Sequence, residues 1–173
     1  MASLYDFSVG TYVQLLGGVA GFMDKGLNHF TANKTDLNEI VETRLFPDML
    51  PFRFQVQSVV HHSLGAIEAL KSGTFQPPSG MEPHDYAGLQ KLVADTTATL
   101  QKMKPEEVNA LEGRDVFFEI RGNKLPFTAD GFIQSFSLPN FYFHATTAYD
   151  ILRSKGVPLG KRDFMGRMKM KTS

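Results

Sequence analysis

The sequence predicts an all-α fold, an up-and-down four-helix bundle with a small β-hairpin set before its last helix. Three observations carry that expectation. Four long stretches repeat apolar residues at steps of three and four, the period of one buried helical face. Connectors are short and rich in Pro, Gly and Asn. One segment abandons the helical period for two extended runs on either side of Gly122-Asn123.

The first helix is expected over about Phe7 to Phe30, with Tyr12, Leu15, Leu16, Val19, Phe22, Met23, Leu27 and Phe30 on its apolar face. Gly17, Gly18 and Gly21 lower its propensity and let another backbone approach closely. Asn33 to Asn38 supply a cap and early acidic charge for a short helix ending near Arg44. Pro47 suits the first turn of a second long helix, whose stripe Phe52, Val56, Val59, Ser63, Ile67 and Leu70 ends at Ser72-Gly73. A Pro-rich loop follows from Thr74 to Pro83, then a third helix with Tyr86, Leu89, Leu92, Val93, Leu100 and Met103 inward. The hairpin joins the runs Asp115–Arg121 and Lys124–Thr128, and Pro126 fits an edge strand. The last helix spans about Ala129 to Ser154, with a kink expected at Pro139. Residues 1–160 form a single domain in this reading, and residues 161–173 a basic, partly disordered tail.

Composition narrows the function classes. The chain has 173 residues, long enough for one core without staples, and 18 basic residues balance 18 acidic ones, so no nucleic-acid partner is expected. Absence of cysteine excludes disulfides, thiolate metal sites and cysteine nucleophiles. Without a secretory signal or a long apolar run, a cytoplasmic protein with no membrane partner is expected. No P-loop, dinucleotide fingerprint, nucleophile elbow or His-Glu-x-x-His pattern occurs.

The candidate chemistry lies in the last helix. Asn140 and His144 are four residues apart, 40° around the helix, so both point one way and can converge on one ligand. The alternative is that His144 makes a core hydrogen bond and Asn140 serves backbone groups freed by Pro139. On the second helix Gln55 and Asp48 lie toward the edge of the apolar stripe, His62 is borderline, and His61 falls nearly opposite and is expected to be exposed. Aromatic residues lie nearly all round the last helix, as on a helix shared with a second copy in a homodimer.

Four motifs follow one another in order: Leu45-Phe-Pro-Asp-Met49, Phe54-Gln-Val-Gln57, Leu138-Pro-Asn-Phe-Tyr-Phe-His-Ala-Thr-Thr-Ala-Tyr149 and Leu159-Gly-Lys-Arg-Asp-Phe164, after an opening Leu4-Tyr5-Asp6. With them the chain resembles an uncharacterised domain-of-unknown-function family within the DinB/YfiT-like superfamily of metalloenzymes. The resemblance implies a DinB-like four-helix bundle, a tendency to form homodimers, and a divalent metal ion held by one second-helix histidine and a His-x-x-x-His pair on the last. At those places this chain has Gln55 or a neighbour, Asn140 and His144, so the three-histidine set is incomplete. Three functional expectations follow. The first is an inter-helical pocket in which Asn140, His144 and Gln55, oriented by Gln57 and Asp48, bind a small molecule. The second is a metal-dependent hydrolase or transferase with His144 as principal ligand, completed by His62 or Asp48. The third is a non-catalytic structural or dimerisation module.

Overall fold

The computed structural model describes residues 2–78, 80 and 82–171. The chain is mostly helical with one small three-stranded sheet. Helix α1 (Leu4–Phe7) is closed by a capping box between Ser3 and Asp6, and α2 (Val9–Ala32) follows after one break at Ser8 (φ −100°, ψ −90°). The sequence reading starts the first helix at about Phe7 and so leaves out the short α1, whose four residues carry no period. The face of α2 is as expected, with Tyr12, Leu16, Phe22, Met23 and Phe30 all but inaccessible.

After α3 (Leu37–Val41), the second long rod starts later than Pro47 suggests. Its first part is α4 (Phe52–Val60), with Pro51 in extended conformation (ψ 170°) at the cap. A helix opened at Pro47 would need an N–H from residue 51 for the carbonyl of residue 47. Pro51 has none, and its ring would strike that carbonyl. The rod then widens into a π-helical turn (His61–Gly65) and continues as α5 (Ala66–Ser72), ended by Gly73 in the left-handed region (φ 81°). The third rod is α6 (Tyr86–Gln101), capped by Asp85, whose side chain accepts from Gly88 N–H, and α7 (Pro105–Asn109) follows it.

Strand β1 (Thr74–Phe75) lies parallel to β2 (Asp115–Ile120), and β2 pairs antiparallel with β3 (Asn123–Thr128). Sequence reading takes Thr74 and Phe75 for loop, since two residues carry no period. It also places the turn one residue late. Ile120 pairs with Asn123, so the turn residues are Arg121 (φ 48°) and Gly122 (φ 80°), the two positive φ values that a tight hairpin turn demands.

The last rod comprises α8 (Ala129–Phe132), a π-helical turn (Ile133–Ser137) and α9 (Leu138–Ser154). Pro139 sits in the first turn of α9 and lacks the N–H that would bond the Ser135 carbonyl. The distortion expected at Pro139 takes the form of a widened turn ahead of it, the arrangement that moves that carbonyl off the proline ring. The four rods pack in a ring: α2 on α6, α6 on α4, α4 on α9, and α9 on α2. Their common core includes Phe52 stacked on Tyr86 (centroids 5.8 Å) and Tyr12 edge-on to Phe141 (5.1 Å). Phe75 and Phe118 lay the sheet against Phe132 and Phe136 of the last rod.

Helix α10 (Lys161–Met165) occupies the start of the segment expected as a tail. It lies directly on α2, where a Cβ on Gly18 would fall 2.3 Å from the Phe164 carbonyl oxygen. Gln14 Nε2 donates to the Met165 carbonyl (3.0 Å), and Lys25 pairs with Asp163 (2.6 Å). No helix among the described residues is long and apolar enough to cross a membrane.

Candidate functional site

The second and last rods bring Gln55, His62 and His144 together. Gln55 is buried in the first turns of α4, and its Nε2 donates to the Leu50 carbonyl (2.8 Å). That bond orients the amide, because a carbonyl only accepts. Gln55 Oε1 therefore faces His144 Nδ1 (2.8 Å), and an amide oxygen requires a donor there. His144 is thus protonated on Nδ1, and its Nε2 carries the lone pair. No hydrogen bond to this nitrogen occurs among the described residues.

His62, from the π-helical turn, lies almost parallel to His144 (centroids 5.7 Å, 15° between planes). Its Nδ1 is buried without a partner among the described residues. Phe75 (5.3 Å) and Phe136 (5.7 Å) also pack against this ring. Burial holds the imidazole of His62 down to about 3, helped by repulsion from His144 and His61. Burial likewise holds His144 down to about 4, with repulsion from His61 added. Both rings are neutral at pH 7. Phe54 and Phe143 stand edge-on to His144 (5.8 and 5.3 Å), so the cluster is a neutral polar spot in an aromatic wall.

The remaining sequence candidates lie elsewhere or face away. Asn140 turns back along its helix and donates to the Phe136 carbonyl (2.7 Å), serving the widened turn. Gln57 pins the loop before α6, exchanging two bonds with the Glu82 backbone (2.9 and 3.1 Å). Asp48 is exposed in the irregular stretch before α4. His61, expected to be exposed, is half-buried under β1: its Nε2 meets the Gln76 carbonyl (2.8 Å) and its ring lies 4.4 Å from Phe75. The covering strand has no sequence signature of its own, which is why the helical wheel misplaces this residue.

Two further groups build the site without belonging to any motif. Ser137 Oγ donates to the His62 carbonyl (2.6 Å), so the hydroxyl of Tyr12 donates to Ser137 Oγ (2.7 Å). All three residues are buried, and this chain ties α2 to both π-helical turns. Pro139 gives a sequence hint of the second turn; nothing comparable marks the first.

A divalent ion of the kind the superfamily resemblance implies finds too few donors. Among the described residues no three His, Cys, Asp or Glu side chains assemble into a metal-binding group. His61 also lies beside His62 (centroids 5.5 Å), but its Nε2 is engaged by the Gln76 carbonyl, and Gln55 Oε1 already accepts from His144. Zinc and its neighbours favour imidazole, thiolate or carboxylate over a neutral amide.

No curated protein matches the chain. A crystal structure of a DinB family member protein from Shewanella denitrificans is similar over 98% of this chain and 96% of that one, with 26% identity and a TM-score of 0.79. The pattern of the domain of unknown function DUF1993 matches residues 4–165. By that match, over nearly its whole length, the chain belongs to the DUF1993 family, an uncharacterised family with a DinB-like fold.

Proposed function

We propose that the Gln55–His144–His62 cluster is a small-molecule binding site of an up-and-down, DinB-like bundle, one that holds no tightly bound metal. The observation that supports this reading is the fixed tautomer of His144. The Leu50 carbonyl orients Gln55, Gln55 orients the imidazole, and the Nε2 lone pair is left without a partner among the described residues. Such a group accepts a hydrogen bond from an N–H or O–H donor. With both imidazoles neutral and aromatic rings around them, the site suits a small, flat, uncharged donor better than an ion.

Phenol is a suitable probe. Titrated into protein purified without an affinity tag, it is expected to shift the ring resonances of His144 saturably, and His144→Ala to abolish the remaining shifts at His62. Metal analysis of the same preparation discriminates the metal-dependent hydrolase or transferase. Stoichiometric divalent metal that disappears in His144→Ala overturns the metal-free reading. Absence of any saturable shift favours a cluster that serves packing alone.

A further inference from the structure

A cavity of about 550 Å³ lies on a different face, between α2, α6 and the segment that follows α10. Glycine creates it: nothing lies within 4 Å of a Cβ built on Gly17, so α2 presents bare backbone to open space there. The roof is held in place by α10, through the contact of Gly18 with Phe164 and the bond from Gln14 to Met165. Gly166 completes the seat. Its φ is +63°, and a Cβ on it would fall 2.1 Å from the Gln14 carbonyl oxygen.

The lining has one sign of charge. Arg167 and Lys169 both contribute, no acidic residue does, and neither cation forms a salt bridge among the described residues. Lys169, though exposed, lays its Nζ over α2, since a Cβ on Gly10 would fall 2.9 Å from it. Gln14, Thr97 and Gln101 add neutral hydrogen-bonding groups, while Val13, Met168 and Met170 supply an apolar part that methionine can reshape. The Asp6 carboxylate lies near enough to feel the charge of Lys169 but forms no salt bridge with it. Two cations without a salt bridge among the described residues, beside an adaptable apolar wall, recognise a negative head carrying a short apolar chain.

We infer that the cavity roofed by the C-terminal segment is a second binding site, for a small amphipathic anion such as a medium-chain carboxylate or alkyl phosphate. It is independent of the His144 cluster. The head lies between Arg167 and Lys169, and the chain lies over Gly17 toward Val13 and Met168.

Calorimetric titration of the full chain with octanoate, octyl phosphate and octyltrimethylammonium tests this. Saturable binding of at least one anion and none of the cation is expected. Arg167→Gln with Lys169→Gln should weaken binding at least about tenfold, given the strength of charge-assisted hydrogen bonds. Gly17→Leu should abolish binding by filling the space. It also replaces a poor helix former by a good one at a position free of neighbours, so its melting temperature should equal or exceed wild type. His144→Ala should bind as wild type does. The inference is overturned if neither anion binds, if the cation binds equally well, if folded Gly17→Leu still binds, or if His144→Ala abolishes binding.

Discussion

Lowering the pH should destabilise this protein well before its carboxylates are titrated, and the His62–His144 pair is the reason. In the unfolded chain both imidazoles take up protons near the ordinary histidine value of 6.5. In the folded chain they resist until about 3 and about 4. Between those limits the unfolded state binds more protons, so stability is fully present above pH 6.5 and is lost as pH falls toward the folded values. At pH 5 each group stands about 1.5 pH units below its unfolded value, worth about 2 kcal/mol apiece and roughly 4 kcal/mol together as a ceiling. Solvent at the outer edge of the cluster screens part of this, so about 2 kcal/mol is the working expectation. Urea titrations at pH 7 and pH 5 measure the loss directly. The control is His62→Phe, which keeps a ring among Phe75, Phe136 and His144 while removing a titrating group and the unpartnered buried Nδ1. It should be at least as stable as wild type at pH 7 and lose distinctly less on acidification, the remainder coming from His144 and from His61, whose imidazole burial also holds below its usual value. Asp6, Glu119 and Asp163, whose carboxylates are held below their usual range by hydrogen bonds and nearby cations, cancel in that comparison. If wild type and His62→Phe lose the same stability between pH 7 and pH 5, the reasoning about this pair is wrong.

Four more variants probe the framework around the sites. Ser137→Ala removes the link between Tyr12 and the His62 carbonyl and leaves buried polar groups unpaired. It should cost about 1–3 kcal/mol in urea unfolding. A Tyr12→Phe, Ser137→Ala double variant should lose less than the two single losses added, because the pair shares one chain of bonds. Neighbouring glycines on α2 should respond oppositely to alanine. Gly17→Ala meets nothing and should be neutral or stabilising by up to about 1 kcal/mol. Gly18→Ala drives a methyl group into the Phe164 carbonyl and should release α10, read as faster tryptic cleavage at Lys161 and Arg162 with a lowered melting temperature.

How much of this was legible in the sequence follows from the length over which each feature is encoded. The four rods rest on apolar periodicity spread over several helical turns, and such a pattern survives a break at Ser8 or a widened turn at His61. Features set by one or two residues did not survive in the same way. The start of the second rod depends on which of Pro47 and Pro51 governs, and only the carbonyl that Pro51 would strike decides it. The turn of the hairpin depends on Arg121 accepting a positive φ, a conformation its side chain does not advertise. For the candidate site, the four-residue spacing of Asn140 and His144 is a true statement about direction along an ideal helix. Yet Asn140 spends its amide on the Phe136 carbonyl, because the π-helical turn ahead of Pro139 has already altered the ladder it sits on. The orienting bond from Leu50 to Gln55 comes from backbone in an irregular stretch, and the neighbour of His144 is a histidine brought round by a second widened turn. Side-chain identity therefore marked where polar groups enter the bundle, while the geometry that decides their chemistry was written in backbone irregularities. Those irregularities cluster at the His62–His144 junction and are pinned there by Ser137 and Tyr12. A turn widened against its preferred hydrogen bonding persists only where surrounding contacts hold it. Two such turns meeting beside a pair of neutral imidazoles add to the fixed tautomer of His144 a second reason to look for a ligand at this place.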